Sequence, residues 1–218
     1  MEARIVTTRN DLPQVAAVIL AAGASRRFGR PKQLLTWQGK PLLAHIADVA
    51  LASQARPVIV VLGSRLPAMR EALGDRPLQI VHNPHWPQGL STSVRAGLAA
   101  LPPEADAALF LQADQPGLTA ALLDRLIARF RQGDALIVAP AYRGRRGTPV
   151  LFARPLFDEL GRVQGDRGGR GLLQRYADQV ALVEVDSPLL LADFDTPEEW
   201  AAWQQAMHPP QPTTRSQP

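Results

Sequence analysis

Between Leu20 and Lys32 the chain reads LAAGASRRFGRPK: small residues, then two arginines, then a lysine. Small side chains let backbone N–H groups approach an anion closely, and consecutive N–H groups can form a nest around it. A guanidinium from Arg26 or Arg27 can fork onto phosphate oxygens, and the Lys32 ammonium can reach the same anion from further along. Two familiar phosphate loops do not fit. GxxxxGK[ST] fails because Arg30 and Pro31 follow Gly29, and GxGxxG fails at Ser25 and Arg26. Spacing alone leaves a solvated strand-to-loop turn with surface arginines equally open.

Carboxylates supply the complementary chemistry. Asp114 closes the run LFLQADQP (109–116). A hard oxygen ligand at a strand end is what Mg²⁺ uses, since the ion takes one or two carboxylates together with phosphate oxygens. The plain alternative is an Asp that caps the next loop. Asp193 and Asp195 lie two apart, so on extended backbone they point to one side and could complete a metal site with Asp114, with Asp195 preferred. Directly after them, Thr196, Pro197 and Glu199 read as a capping box opening a helix. In HNPHWPQGLSTSVRAGL (82–98), Gly89, Ser91 and Ser93 stand at a helix start, with Ser91 the expected N-cap. The helix start either faces a ligand or is simply capped. His82 and His85 lack the partners a zinc site requires. Two Gly/Arg-rich stretches, 143–150 and 165–170, are surface loops or a second anion site built from Gly144, Arg146, Gly147, Asp166 and Gly168.

The elements that must position these residues alternate. Apolar strand-like runs fall at 15–20, 57–62, 78–82, 107–111, 135–139, 149–152 and 180–185. Helical spacing falls at 41–52, 64–73, 91–101, 119–131 and 169–176. Continuous apolar strands between helices indicate an α/β fold with a mainly parallel sheet covered on both faces. Ligands of such sheets bind beyond the carboxyl ends of the strands, which selects the loops after Leu20, His82, Leu111 and Val185.

The 218 residues suit one domain, expected over 13–206, with a flexible extension at 1–12 and a disordered tail at 207–218. With no cysteine, disulfides, thiolate nucleophiles and Cys-ligated zinc are excluded. No apolar run approaches a membrane span and the first residues lack a signal-peptide core, so a cytoplasmic protein with no membrane partner is expected. The net charge of +4, without a dense basic run, suits an anionic small molecule and not nucleic acid. Of the 24 basic residues only Lys32 and Lys40 are lysines. Lys32 is therefore one of two ammonium point charges in a chain that otherwise uses guanidinium.

LAAGxSxRxGxxK resembles the signature loop of the MobA-like nucleotidyltransferases, and the similarity extends from about Val15 to Trp203. It implies a three-layer, Rossmann-like nucleotidyltransferase fold that uses a nucleoside triphosphate with Mg²⁺, or Mn²⁺ in its place. By that resemblance Leu20, Ala21, Ala22, Gly23, Ala24, Ser25 and Arg26 bind nucleotide. Arg27 and Lys32 meet the leaving pyrophosphate, and Asn83, Gly89 and Ser93 line the base. Asp114 holds the metal with Asp195 or Asp193. Arg27, Lys32 and Asp114 form the implied catalytic set. Phe28 stands where the family commonly has Met. Relatives that use GTP tend to carry Gly where this chain has Ala22, which favours CTP, although one methyl discriminates by only ~1–3 kcal/mol. The GxxGxP and GDxG motifs resemble the branch that moves CMP from CTP to molybdopterin, with a molybdenum hydroxylase or its chaperone as an implied partner. Thr148 replaces the His expected before Pro149. The rival expectations are GTP or another phosphorylated acceptor (a sugar or polyol phosphate) and a non-catalytic nucleotide-binding maturation factor. A nicotinamide-dependent oxidoreductase is disfavoured by the missing dinucleotide fingerprint.

Overall fold

The computed structural model describes residues 12–207. In chain order the elements are β1 (Val15–Ala21), β2 (Thr36–Trp37), β3 (Lys40–Pro41), α1 (Leu42–Ala52), β4 (Val58–Leu62) and α2 (Leu66–Leu73). Then come β5 (Gln79–His82), α3 (Leu90–Ala99), β6 (Ala107–Gln112), α4 (Ala120–Phe130), β7 (Ile137–Tyr142) and β8 (Arg145–Arg146). The last are β9 (Val150–Ala153), α5 (Phe157–Gly161), α6 (Arg170–Arg175), β10 (Val180–Glu184) and α7 (Pro197–Met207).

The main sheet has the order β10-β7-β9-β6-β1-β4-β5, with β8 hairpinned onto β7. β9 runs antiparallel to both of its neighbours, whereas β1 pairs in parallel with β4 and β6. The central strands β1, β4 and β6 are apolar on both faces because helices cover both faces. Alternation divides β1: Ala17 and Ile19 join the core under α1, α2, α4 and α7, and Val18 joins the core under α3, α5 and α6. The fold is thus a three-layer α/β/α arrangement. After β1 the chain builds outward through β4 and β5 and then returns to β6 on the other side. The switch point lies between β1 and β6, and a crevice opens there at their carboxyl ends.

Local chemistry explains the starts of α4 and α7. Thr119 caps α4 by accepting from the Leu122 N–H, and the four buried residues Leu122, Leu123, Leu126 and Ile127 form its inner stripe. The capping box opens α7 as read from the sequence: Thr196 Oγ1 accepts from Glu199 N–H at 3.2 Å while the Glu199 carboxylate accepts from Thr196 N–H at 3.2 Å. Ser91 is not an N-cap. α3 begins at Leu90, Gly89 is the cap residue, and Ser91 is buried inside the first turn. The cap comes from outside the segment, because Asp166 Oδ1 accepts from Leu90 N–H at 3.1 Å. The sequence reading also lacked the β2–β3 hairpin and α5. Met207 belongs to α7 and not to a tail; 208–218 and 1–11 lie outside the described residues, and Leu12 is exposed.

Candidate functional site

The loop after β1 is braced from inside by two polar side chains. Ser25 adopts left-handed backbone, φ 53°, which turns its Oγ inward. That oxygen accepts from Lys32 N–H at 3.1 Å and donates to Gln33 Oε1 at 3.2 Å, while Gln33 Nε2 donates to Gly23 O at 2.9 Å. Ala22 O accepts from Ser64 N–H at 2.9 Å, tying the loop to the end of β4. The carbonyls thus face the protein. Among the described residues, none accepts from the backbone N–H groups of Gly23, Ala24 or Ser25. A run of free donors beside small residues is the nest an anion requires.

Lys32 gathers the charged residues. Its buried ammonium donates to Asp114 Oδ2 at 2.6 Å, to Phe194 O at 2.6 Å and to Asp195 Oδ1 at 3.2 Å. Arg27 reaches the other Asp195 oxygen at 2.5 Å. Asp193 stands close by. Desolvation raises its carboxyl above the usual carboxylate range, and the Asp114 charge raises it further. Three carboxylates therefore crowd around one ammonium. Among the described residues no three His, Cys, Asp or Glu side chains are spaced as a ready metal cage. The donor set fits an ion that arrives on phosphate oxygens and needs only one or two protein carboxylates, as Mg²⁺ does.

Above these groups lies a cleft of about 790 Å³, and Leu20, Ala22, Gly23, Ala24, Ser25, Arg26, Arg27, Lys32, Gly89, Ser93, Asp114, Asp166, Asp193 and Asp195 all face it. Most of the sequence-predicted site is thus brought together. Ala21 and Asn83 do not line the cleft. Ala21 packs into the α1-side core, as strand alternation requires. Asn83 is buried; its Nδ2 donates to Thr92 Oγ1 at 2.8 Å and to Ser93 Oγ at 3.0 Å, and its Oδ1 accepts from His85 N–H at 2.9 Å. It orients Ser93: an oxygen that accepts from Asn83 keeps its own proton for an acceptor in the cleft.

The β7–β8 hairpin stays away. Gly144 N–H donates to Glu184 Oε1 at 3.2 Å, exposed Arg146 donates to Leu173 O at 3.1 Å, and Gly147 N–H donates to Pro140 O at 2.9 Å. None of the three faces the cleft. Bonds to β10, α6 and β7 hold these groups outside the cleft. Gly168 lines a smaller neighbouring pocket. Gly89 needs its lack of a side chain, since at φ 109° a Cβ would sit 2.8 Å from Asp166 Oδ1. Sequence reasoning missed Gln33, Trp86, Gln112 and Arg170, all of which line the cleft. Usable signals were Gln112, a polar residue ending an apolar strand, and Arg170, which closes the Gly/Arg-rich stretch 165–170.

A parallel sheet with an anion nest after its first strand, and a lysine–carboxylate cluster at its switch point, defines a class of nucleoside triphosphate-handling α/β proteins. The chain belongs to the MobA-like NTP transferase family, whose domain matches residues 17–194. It is 34% identical over 198 residues to nicotine blue oxidoreductase of Paenarthrobacter nicotinovorans, covering 87% of this chain and 96% of that one. It is 30% identical over 188 residues to molybdenum cofactor cytidylyltransferase of Escherichia coli, covering 85% and 93%. Among solved structures, a Mycobacterium tuberculosis protein superposes with a TM-score of 0.78 at 30% identity, covering 88% of this chain and 97% of that one. The same protein in complex with manganese gives 0.75 at 29% identity, covering 88% and 99%. No described helix is long and apolar enough to cross a membrane.

Proposed function

We propose that this chain transfers CMP from CTP to the terminal phosphate of molybdopterin and releases pyrophosphate. The observation that carries the reading is the junction of Lys32, Arg27, Asp114 and Asp195 below a free-donor loop. One feature supports CTP, Ala22, whose methyl narrows the space beside the base; the spare Ser93 proton can meet a base carbonyl. The similarity to the E. coli cytidylyltransferase supports the acceptor.

The Gly23–Ser25 N–H groups and Arg26 hold the triphosphate. Arg27 and Lys32 neutralise the departing pyrophosphate. An acceptor phosphate oxygen forms the new bond to the α-phosphorus as the α–β bridging bond breaks in line. A phosphate monoester is anionic at neutral pH, so the reaction relies on alignment and charge and needs no general base. Asp114 with Asp195 or Asp193 would hold Mg²⁺ or Mn²⁺, which supplies charge neutralisation on the triphosphate.

The test is pyrophosphate release from CTP and, separately, GTP, with molybdopterin as acceptor and Mg²⁺ present. CTP-dependent release that requires molybdopterin is expected. Release with GTP only, or with a sugar phosphate only, would move the chain to another branch. The 34% identity to an oxidoreductase gives a second reading its observation. Oxidation of NADH or NADPH by nicotine blue, without pyrophosphate release from any triphosphate, would replace the transferase reading with it.

A further inference from the structure

Beside the cleft lies a second, apolar space of about 130 Å³, lined in part by Asp166 and Gly168 of the second glycine-rich stretch. Its walls are Leu20, Leu90, Val94, Phe110, Phe152 and Leu173, and the floor is formed by β6 and β9. Two glycines make the room. A Cβ on Gly168 would come within 3.1 Å of Leu90 Cδ2, and one on Gly169 within 2.4 Å of Phe152 Cζ. Leu20, Leu90, Gln112, Asp166 and Arg170 border both spaces, so the pocket opens into the cleft. Leu20, Leu90 and Leu173 are only half-buried, which leaves apolar surface for a ligand to cover.

We propose that this pocket receives the ring of a flat, amino-substituted nitrogen heterocycle carried by the acceptor; the inference rests on the transferase reading above. Size comes first: an apolar cavity of ~150 Å³ accommodates benzene, so this space takes one six-membered ring, the amino-bearing half of a fused heterocycle whose second ring lies toward the cleft, and not a whole nucleoside. Position comes second. Ala22, Gly89 and Ser93, on the nucleotide side, do not line it, and its floor is two strands away from β4. Reach comes third. Gln112 lies two residues before Asp114, at most about 7 Å of chain, which suits a phosphate joined to the ring by a few bonds. Chemistry comes last. The mouth shared with the cleft offers the Asp166 carboxylate, the Gln112 amide and the Arg170 guanidinium, and Thr148 lines the pocket itself; these groups pair with ring N–H, amino and carbonyl groups.

Free pterin, which is fluorescent, is the probe. Titrated into the full chain without nucleotide, it is expected to bind saturably. Leu173→Trp, which fills the pocket from its rim, should weaken pterin at least about tenfold, a change of ~1.4 kcal/mol, with CTP affinity by calorimetry unchanged. Leu173→Phe, a milder filler, should weaken it less and in the same direction. Absence of saturable binding to the wild type, or pterin affinity indifferent to both substitutions, would overturn the pocket while leaving cytidylyl transfer standing. Saturable, Leu173-sensitive binding by a chain that never releases pyrophosphate would keep the pocket and sink the transferase reading.

Discussion

Phe194→Ala is the most informative single change, because one side chain joins the C-terminal helix to the charged site. Phe194 is 2% exposed. Its ring lies 5.8 Å from Phe28, 4.6 Å from Trp200 and 5.5 Å from Lys32 Nζ, while its carbonyl accepts from that ammonium. Truncating a buried Phe costs about 3–5 kcal/mol. For a domain of this length each kcal/mol moves Tm by ~2–4 °C, so a fall of roughly 6–20 °C is expected in a circular dichroism melt. The same change unpins Lys32, so CTP affinity by calorimetry should drop well below wild type at a temperature where the variant is still folded. Phe194→Leu, which keeps most of the volume, should cost under about 1.5 kcal/mol and largely restore affinity. A Tm change below about 4 °C would refute the packing argument. A large Tm change with wild-type CTP affinity would show that the ring only packs and does not position Lys32.

Asp114→Asn keeps an acceptor for Lys32 and removes one of three crowded carboxylates, so Tm should hold while turnover falls by at least about 10²–10³-fold; near-normal turnover would exclude Asp114 from the reaction. His45, beneath the Asp114 loop, has Nε2 3.2 Å from Pro116 O, and burial depresses its pKa against the opposing effect of that bond. The unfolded chain therefore takes the proton first, and stability should decline as pH falls from about 6.5 through the lower folded value. Urea melts at about pH 7 and pH 5 check this, and His45→Gln should flatten the difference. Arg76 holds the Asp48 carboxyl below the usual range, with Lys40 adding to it. That stability is present above about pH 4 and is lost as pH falls through the folded pKa. Arg76→Met should cost about 1 kcal/mol at neutral pH, with the gap closing in acid.

How much the sequence disclosed depended on whether a signal was local. β1, β4 and β6 were legible because burial on both faces demands continuous apolar runs. The capping box at Thr196–Glu199 was legible because its partners are three residues apart. Asp193-Phe194-Asp195 was partly legible: alternation sends the two carboxylates one way and the ring the other, but nothing local says which way the site lies. Long-range partners were invisible. Ser91 resembles an N-cap because the true cap, Asp166, lies 76 residues beyond Leu90. Arg146 reads as a free guanidinium because the carbonyl it meets belongs to Leu173. Gln33 carries no local signal, yet its amide holds the Gly23 carbonyl inward.

The last crossing of the chain shows why the site assembles at all. β10 lies at one edge of the sheet, four strands from β1, yet Asp193 and Asp195 must meet Lys32 at the centre. The return segment is latched next to Asp114 itself. Gln115, wholly buried, donates to Leu191 O at 3.0 Å and Thr148 O at 3.3 Å, and Trp203 of α7 donates to Leu189 O at 3.1 Å. At Gly117 a Cβ would lie 2.2 Å from Leu189 O, so the two loops touch backbone to backbone. The residue after Asp114 thus fixes the segment carrying Asp193 and Asp195, and the carboxylates from two distant parts of the chain are registered against each other by one amide. Any group bound between them is met by a spacing set in the loop of β6, which places the origin of the site's geometry at the switch point and not at the sheet edge from which two of its three carboxylates arrive.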